Sequence, residues 1–143
     1  MNFRLVFCLM IFAGTVACTR PPKPVQVADP AKRLEAIPAA DKTKYLIPGD
    51  TKSWRNPYLV VHADGIGIWD PSNHEEHRLS LEQLPDALAS LPPSAWPYGR
   101  VVALQEAGGA GSFAELPRIR DNRAKVAATL HSLQILINYV PSA

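Results

Sequence analysis

The chain has 143 residues, a length that indicates a single domain, and 47% of them are hydrophobic, which argues against a disordered protein. Its formal net charge is only +2, and no run of basic residues marks a nucleic-acid-binding face. Cysteine occurs twice, at Cys8 and Cys18.

Residues 1–17 have the three parts of an export signal. Arg4 supplies the positive charge, residues 5–13 form an uninterrupted apolar run, and residues 14–17 are mostly small. A helix that spans a bilayer needs about 20 apolar residues, so a permanent anchor helix is the less favoured alternative. We predict a signal peptide over residues 1–17. Its removal takes Cys8 away and leaves no pair of cysteines for an intramolecular disulfide.

The residues Thr15-Val16-Ala17-Cys18 resemble the lipobox of bacterial lipoproteins. The sequence departs from that pattern at Thr15, where Leu, Val or Ile is usual. The resemblance implies cleavage before Cys18, a diacylglyceryl thioether on its sulfur and an acyl chain such as palmitate on its amino group. Several acyl chains together give stable membrane attachment. Thr19 stands where Asp marks retention in the inner membrane, which implies the outer membrane with the domain facing the periplasm. The alternative is a secretory signal cut near Ala17, which leaves Cys18 as a free thiol.

Residues 18–48 are rich in proline, which fixes the backbone and removes hydrogen-bond donors. We predict a lipid-anchored, semi-stiff linker over this range and a periplasmic domain over residues 49–143. Residues 32–37 are compatible with one or two helical turns.

The domain begins with a predicted hairpin. Two runs rich in β-forming residues, 58–63 and 66–69, flank Asp64-Gly65, a strong signal for a tight turn. A helix follows over residues 79–91, where leucines recur at helical spacing, and Pro85 favours a start near Leu84.

The second half continues with a strand at 99–105, an amphipathic helix at 118–133 and a last strand at 135–140. The predicted order is β-β-α-β-α-β. This order indicates a small α/β domain of the α+β kind, with two helices packed on one face of a sheet.

This order resembles the periplasmic domain of the ExbD/TolR family over about the last 85 residues. The similar residues are Asp64-Gly65-Ile66, Leu81-Glu82-Gln83-Leu84 and Tyr98-Gly99-Arg100-Val101-Val102. The resemblance implies an accessory subunit of an envelope complex. That family works through a transmembrane helix with an acidic residue, which has no counterpart in this sequence, so proton coupling is not implied.

One polar cluster offers ligands for a metal. His62, Asp64, His74 and His77 are residue types that bind zinc, and Asp70, Glu75 and Glu76 lie among them. A metal-dependent hydrolase is therefore one functional hypothesis. The competing interpretation is a solvated loop after the hairpin, with His62 as an ordinary strand residue.

Aromatic residues offer a second kind of site. Trp54, Trp69, Trp96 and Tyr98 flank the predicted strands, where they either fill the core or form an interaction surface. The sequence contains no nucleophile elbow, P-loop or dinucleotide-binding fingerprint. We therefore expect a non-enzymatic envelope lipoprotein, with no cofactor besides its lipid, that binds a protein partner or a cell-wall polymer. The oligomeric state is left open.

Overall fold

The computed structural model describes residues 28–45, 54–70, 74–108 and 113–141. The predicted signal peptide and Cys18 lie outside these residues. The strands are β1 (Tyr58–Val61), β2 (Ile66–Asp70), β3 (Glu75–Leu79), β4 (Val101–Glu106) and β5 (Leu136–Tyr139). The helices are α1 (Pro30–Leu34), α2 (Leu84–Ser90) and α3 (Leu116–Ser132), and short 3₁₀ turns occur at Lys42–Lys44, Leu81–Gln83 and Pro93–Ala95.

The five strands form one mixed sheet in the order β3-β2-β1-β4-β5. The predicted hairpin is confirmed, because β1 pairs antiparallel with β2 and places Leu59 opposite Ile68. β3 pairs antiparallel with β2, whereas β1, β4 and β5 run parallel to one another. The helices between the parallel strands supply the crossovers that such pairing requires. The α+β class is therefore confirmed.

The strand β3 was missing from the predicted order, which becomes β-β-β-α-β-α-β after α1. Four of its five residues, Glu75 to Arg78, are polar, so it has no alternation of apolar and polar residues to reveal a strand. It lies at an edge of the sheet, where one side of the strand faces solvent and charged side chains are tolerated. Pairing with β2 makes this segment a strand, although its own composition does not favour one.

The helix α1 lies within the range predicted as a linker. Asp29 caps it by accepting a hydrogen bond from the backbone N–H of Ala31 at 3.1 Å, and Pro30 occupies its first turn. Leu34 is fully buried and Ile37 is 5% exposed, and both belong to the hydrophobic core. The described part of residues 18–48 therefore packs on the domain, and the boundary predicted at residue 49 was placed too late.

All three helices contribute to one core on one face of the sheet. The positions of α2 and α3 agree with the two predicted helices, and the N–H of Ser80 donates to Gln83 Oε1 at 3.0 Å just before α2. The core contains Leu59, Val61, Ile66, Val102 and Leu104 from the sheet and Leu34, Leu84, Leu88, Ile119, Val126 and Leu130 from the helices.

We call the opposite side of the sheet the second face. Because side chains alternate along a strand, residues one position away from the core residues point there. They include Tyr58, Val60, Gly67, Trp69, Glu76, Arg78, Val101, Ala103, Gln105, Leu136 and Asn138. No helix in the described part of the chain is both long enough and apolar enough to cross a bilayer.

Candidate functional site

A polar network lies on the second face, near the turn between β1 and β2. His62 Nε2 lies 2.6 Å from Glu76 Oε1. Arg78 donates from Nη1 to the same carboxylate at 3.2 Å and from Nη2 to Asp64 Oδ1 at 2.7 Å. We call these four residues the polar network. Each charged group in it has an opposite charge or a hydrogen-bond partner within reach, which offsets part of its desolvation.

The absence of a side chain at Gly67 makes this network geometrically feasible. A Cβ at this position would lie 1.8 Å from Glu76 Oε1, so the carboxylate of Glu76 lies across β2. It thereby reaches His62, which follows β1 on the far side of β2. From below, Asn122 of α3 donates to the backbone oxygens of His62 and Ala63 at 2.9 and 3.2 Å. His62 is thus held through both its side chain and its backbone.

A histidine oriented by a carboxylate is half of a general-base arrangement. The other half is a nucleophile or a substrate pocket. No hydrogen bond joins His62 to a serine, threonine or cysteine in the described ranges. A surface hollow of about 280 Å³ lies instead at the ends of β4 and β5, and no residue of the polar network lines it. Within the described ranges, the structure therefore shows the carboxylate–histidine pair without either of these further parts.

The structure does not bring the four predicted metal ligands together. His62 pairs with Glu76, and Asp64 pairs with Arg78. His74 lies beside Trp69, with ring centroids 6.4 Å apart. His77 pairs with Ile68 and so points to the face of the sheet opposite the polar network. Within the described residues, no three His, Cys, Asp or Glu side chains are placed to hold a metal ion.

The predicted aromatic surface also divides into separate parts. Trp96 is only 3% exposed and belongs to the core, so its assignment to an interaction surface was wrong. Trp54 and Tyr98 pack against each other at 5.3 Å and against Tyr45 at 5.8 and 6.2 Å. Trp69 is 37% exposed on the second face, opposite Tyr58. Of the four aromatic residues singled out from the sequence, Trp69 alone has the exposure that an aromatic binding residue needs.

Tyr58 connects the second face to the end of the sheet. Its hydroxyl donates to Gln105 Oε1, and Gln105 Nε2 donates to the backbone oxygen of Pro141 at 3.3 Å. Burial raises the pKa of the Tyr58 phenol, because the charged phenolate is poorly solvated there.

The edge strand β5 is a feature whose exposure the sequence analysis missed. Leu136 is 47% exposed and Tyr139 is 60% exposed. These two residues lie on opposite faces of the strand, because their positions differ by an odd number. The sequence gives no signal of this edge, because residues 133–143 include no charged side chain and such an uncharged run is typical of a buried strand.

The hollow at the ends of β4 and β5 contains one ion pair. Arg123 Nη1 of α3 lies 2.7 Å from Glu106 Oε1, yet this buried oxygen accepts no well-aligned hydrogen bond from the described residues. Tyr139 and Pro141 line the same hollow. The carboxyl ends of parallel strands are a common place for ligands, but here the charges neutralise each other. The hollow therefore shows no preference for an anion or a cation.

Comparison of the chain with models of protein families, with curated proteins and with solved structures gave no significant match. The resemblances to lipoproteins and to the ExbD/TolR family therefore stay predictions, and the geometry of the domain carries the functional argument.

Proposed function

We propose that this chain is a lipid-anchored, non-enzymatic binding protein of the bacterial envelope. Its domain faces the periplasm and binds a protein partner by adding a strand of that partner to β5. The lipobox-like residues before Cys18 support the anchor, and the exposed edge of β5 supports the binding mode.

The backbone of β5 has hydrogen-bonding groups that point away from the sheet. The N–H groups of Leu136 and Val140 donate to the backbone oxygens of Arg100 and Leu104, each at 2.9 Å. In a regular strand the intervening residues Ile137 and Tyr139 direct their N–H and C=O groups to the other side. No described strand lies there. An extended peptide at that edge would pair with these groups, which is how strand addition gains affinity.

The side chains of the two edges differ in a way that supports this mode. At the other edge, β3 exposes Glu75, His77 and Arg78, and charged side chains prevent unwanted pairing of edge strands. β5 has no such protection, and it exposes Leu136 and Tyr139 instead. An uncharged, apolar edge favours a partner strand that is itself uncharged and presents apolar side chains on both faces.

Charged substitutions on β5 test this binding mode. Tyr139→Lys places a charge on the exposed edge, and we expect at least a tenfold loss of partner binding, an effect of about 1.4 kcal/mol. His77→Lys makes a matched change on β3 and should leave binding unchanged. On partner binding, hydrogen exchange should slow at the amides of Ile137 and Tyr139. Undiminished binding by Tyr139→Lys, or no added protection at those amides, would contradict the proposal.

The same variants separate the proposal from the ExbD/TolR-like alternative. We expect the purified domain to sediment as a monomer at micromolar concentration. A dimer that Tyr139→Lys dissociates would instead favour pairing of β5 with a second copy, as expected for an accessory subunit.

The anchor has its own test and control. Cys18→Ser removes the acylated thiol and should release the protein into the soluble fraction. Cys8→Ser changes a cysteine within the predicted signal peptide and should leave the protein attached. Continued membrane attachment of Cys18→Ser would contradict lipidation at this residue.

A second candidate function is binding of a cell-wall glycan on the second face. Trp69 is exposed there beside Glu76, its neighbour across the two strands, and an aromatic ring next to polar groups suits a sugar. Sedimentation of the protein with purified peptidoglycan, lost in Trp69→Ala and kept in Tyr139→Lys, would favour this function over strand addition.

A further inference from the structure

We infer that Asp29, where the folded domain begins, lies within about 40 Å of the membrane that holds the lipid, and that the partner strand therefore belongs to a protein embedded in or bound to that same membrane. This inference rests on the proposed lipid anchor at Cys18. It follows from the way residues 30–41, which we call the strap, pack on the domain.

Apolar side chains hold the first half of the strap. Leu34 is fully buried and Ile37 is nearly so, and both pack in the same core as α2 and α3. α1 packs against α2, and Arg33 of α1 pairs with Asp86 of α2. Releasing the strap would expose two aliphatic side chains to water and would uncover the core beneath them.

Backbone hydrogen bonds hold the second half of the strap. The N–H of Arg100 donates to the oxygen of Pro38, and the N–H of Asp41 donates to the oxygen of Tyr98, each at 2.9 Å. Between these bonds the strap passes directly over Gly99. A Cβ at this position would lie 2.3 Å from the oxygen of Ala39, and the φ of Gly99 is +77°. Position 99 therefore requires glycine, because a side chain there would collide with the strap and the positive φ would strain the backbone.

The strap shortens the part of the chain that separates the lipid from the domain. Asp29, which caps α1, is the eleventh residue after Cys18. Eleven residues span about 34 Å in the polyproline conformation and at most about 40 Å when fully extended. A linker that stayed free up to residue 48 would instead reach about 93 Å in the polyproline conformation. The strap therefore keeps the start of the domain close to the membrane that holds the lipid, which favours a partner on that same membrane.

Hydrogen exchange of the full, processed chain tests the strap itself. We expect the amide of Asp41 to exchange at least about tenfold more slowly than an unstructured amide, because it is bonded within the fold. The amide of Lys32, in the first turn of α1 where helical N–H groups lack partners, serves as an internal comparison. Exchange of Asp41 at the unstructured rate, while the amides of β4 stay protected, would overturn the inference.

Energy transfer on vesicles tests the reach. Lipidated protein is bound to vesicles of phosphatidylethanolamine and phosphatidylglycerol with an acceptor dye on the headgroups. A donor dye is attached to Arg120→Cys on the exposed side of α3. An insertion of 20 Gly/Ser residues after Thr19 should lower the transfer clearly, because it triples the number of residues between Cys18 and Asp29. Unchanged transfer would show that the length of this linker does not set the distance between domain and membrane, and would overturn the inference.

These experiments distinguish failure of the inference from failure of the anchor. If the protein with Cys18 intact does not attach to membranes, the proposed lipidation fails, and with it the stated distance. The protection of Asp41 would still report whether the strap is part of the fold.

Discussion

Replacing Leu34 by alanine tests whether α1 belongs to the folded core. Leu34 is fully buried, and it packs in the core shared by the sheet, α2 and α3. Truncating a leucine at such a site costs about 2–5 kcal/mol, because apolar contacts are lost and a cavity remains. For a domain of about 100 residues, a loss of about 3 kcal/mol lowers Tm by about 12–24 °C. This is a large part of the total stability of about 5–15 kcal/mol that such domains have.

Thermal and urea unfolding of the chain from residue 18 onward, carrying Cys18→Ser, measure this effect. Lys32→Ala is the matched control, because Lys32 is exposed in the same short helix, and its effect should stay within about 0.5 kcal/mol. Substitutions at exposed positions usually change the free energy of unfolding by less than about 0.5 kcal/mol. An effect of Leu34→Ala within that range would show that α1 is not part of the core.

Three further predictions concern the second face and its border. In Gly67→Ala the new Cβ displaces the carboxylate of Glu76 from His62. The His62 ring resonances should therefore shift in NMR spectra, and the free energy of unfolding should fall by about 1 kcal/mol. Unshifted resonances would contradict the polar network. The side chain of Asn56 donates to the backbone oxygens of Gly99 and Val101 and accepts from the N–H of Tyr98. Asn56→Ala removes these bonds, so urea unfolding should show a loss of about 2–4 kcal/mol in the free energy of unfolding. A loss below about 1 kcal/mol would be inconsistent with these bonds. Burial raises the pKa of Tyr58, so as the pH rises the unfolded chain loses the phenol proton before the folded protein does. The parent should therefore lose stability as the pH rises above about 10, and Tyr58→Phe should lose less stability between pH 8 and pH 11. Equal losses in the two proteins would refute the raised pKa of Tyr58.

Much of the sheet could be predicted because its signals are local. Asp64-Gly65 between two apolar runs predicts a hairpin, and the spacing of apolar residues in 118–133 predicts α3. β3 could not be predicted in this way. Its residues Glu75 to Arg78 carry the composition of a loop, and they form a strand only because β2 presents an edge to them.

The candidate sites were harder to predict than the fold. His62 and Asp64 are connected by Glu76 and Arg78, where the metal-site hypothesis placed an ion. His77 was grouped with them by sequence distance, but strand alternation turns it to the other face. Proximity along the chain therefore predicted the neighbourhood of the polar network and gave wrong partners within it.

The sequence by itself determined the elements whose patterns are complete within a few contiguous residues: the β1–β2 hairpin, α2, β4, α3 and β5. The tertiary structure alone decided that Leu34 and Trp96 are buried, while Trp69 and Tyr139 are exposed. The physical reason is that burial depends on what packs against a side chain from elsewhere in the chain. Burying a leucine or a tryptophan lowers the free energy of the folded protein wherever the residue lies in the sequence. Only the fold decides which of these side chains become buried.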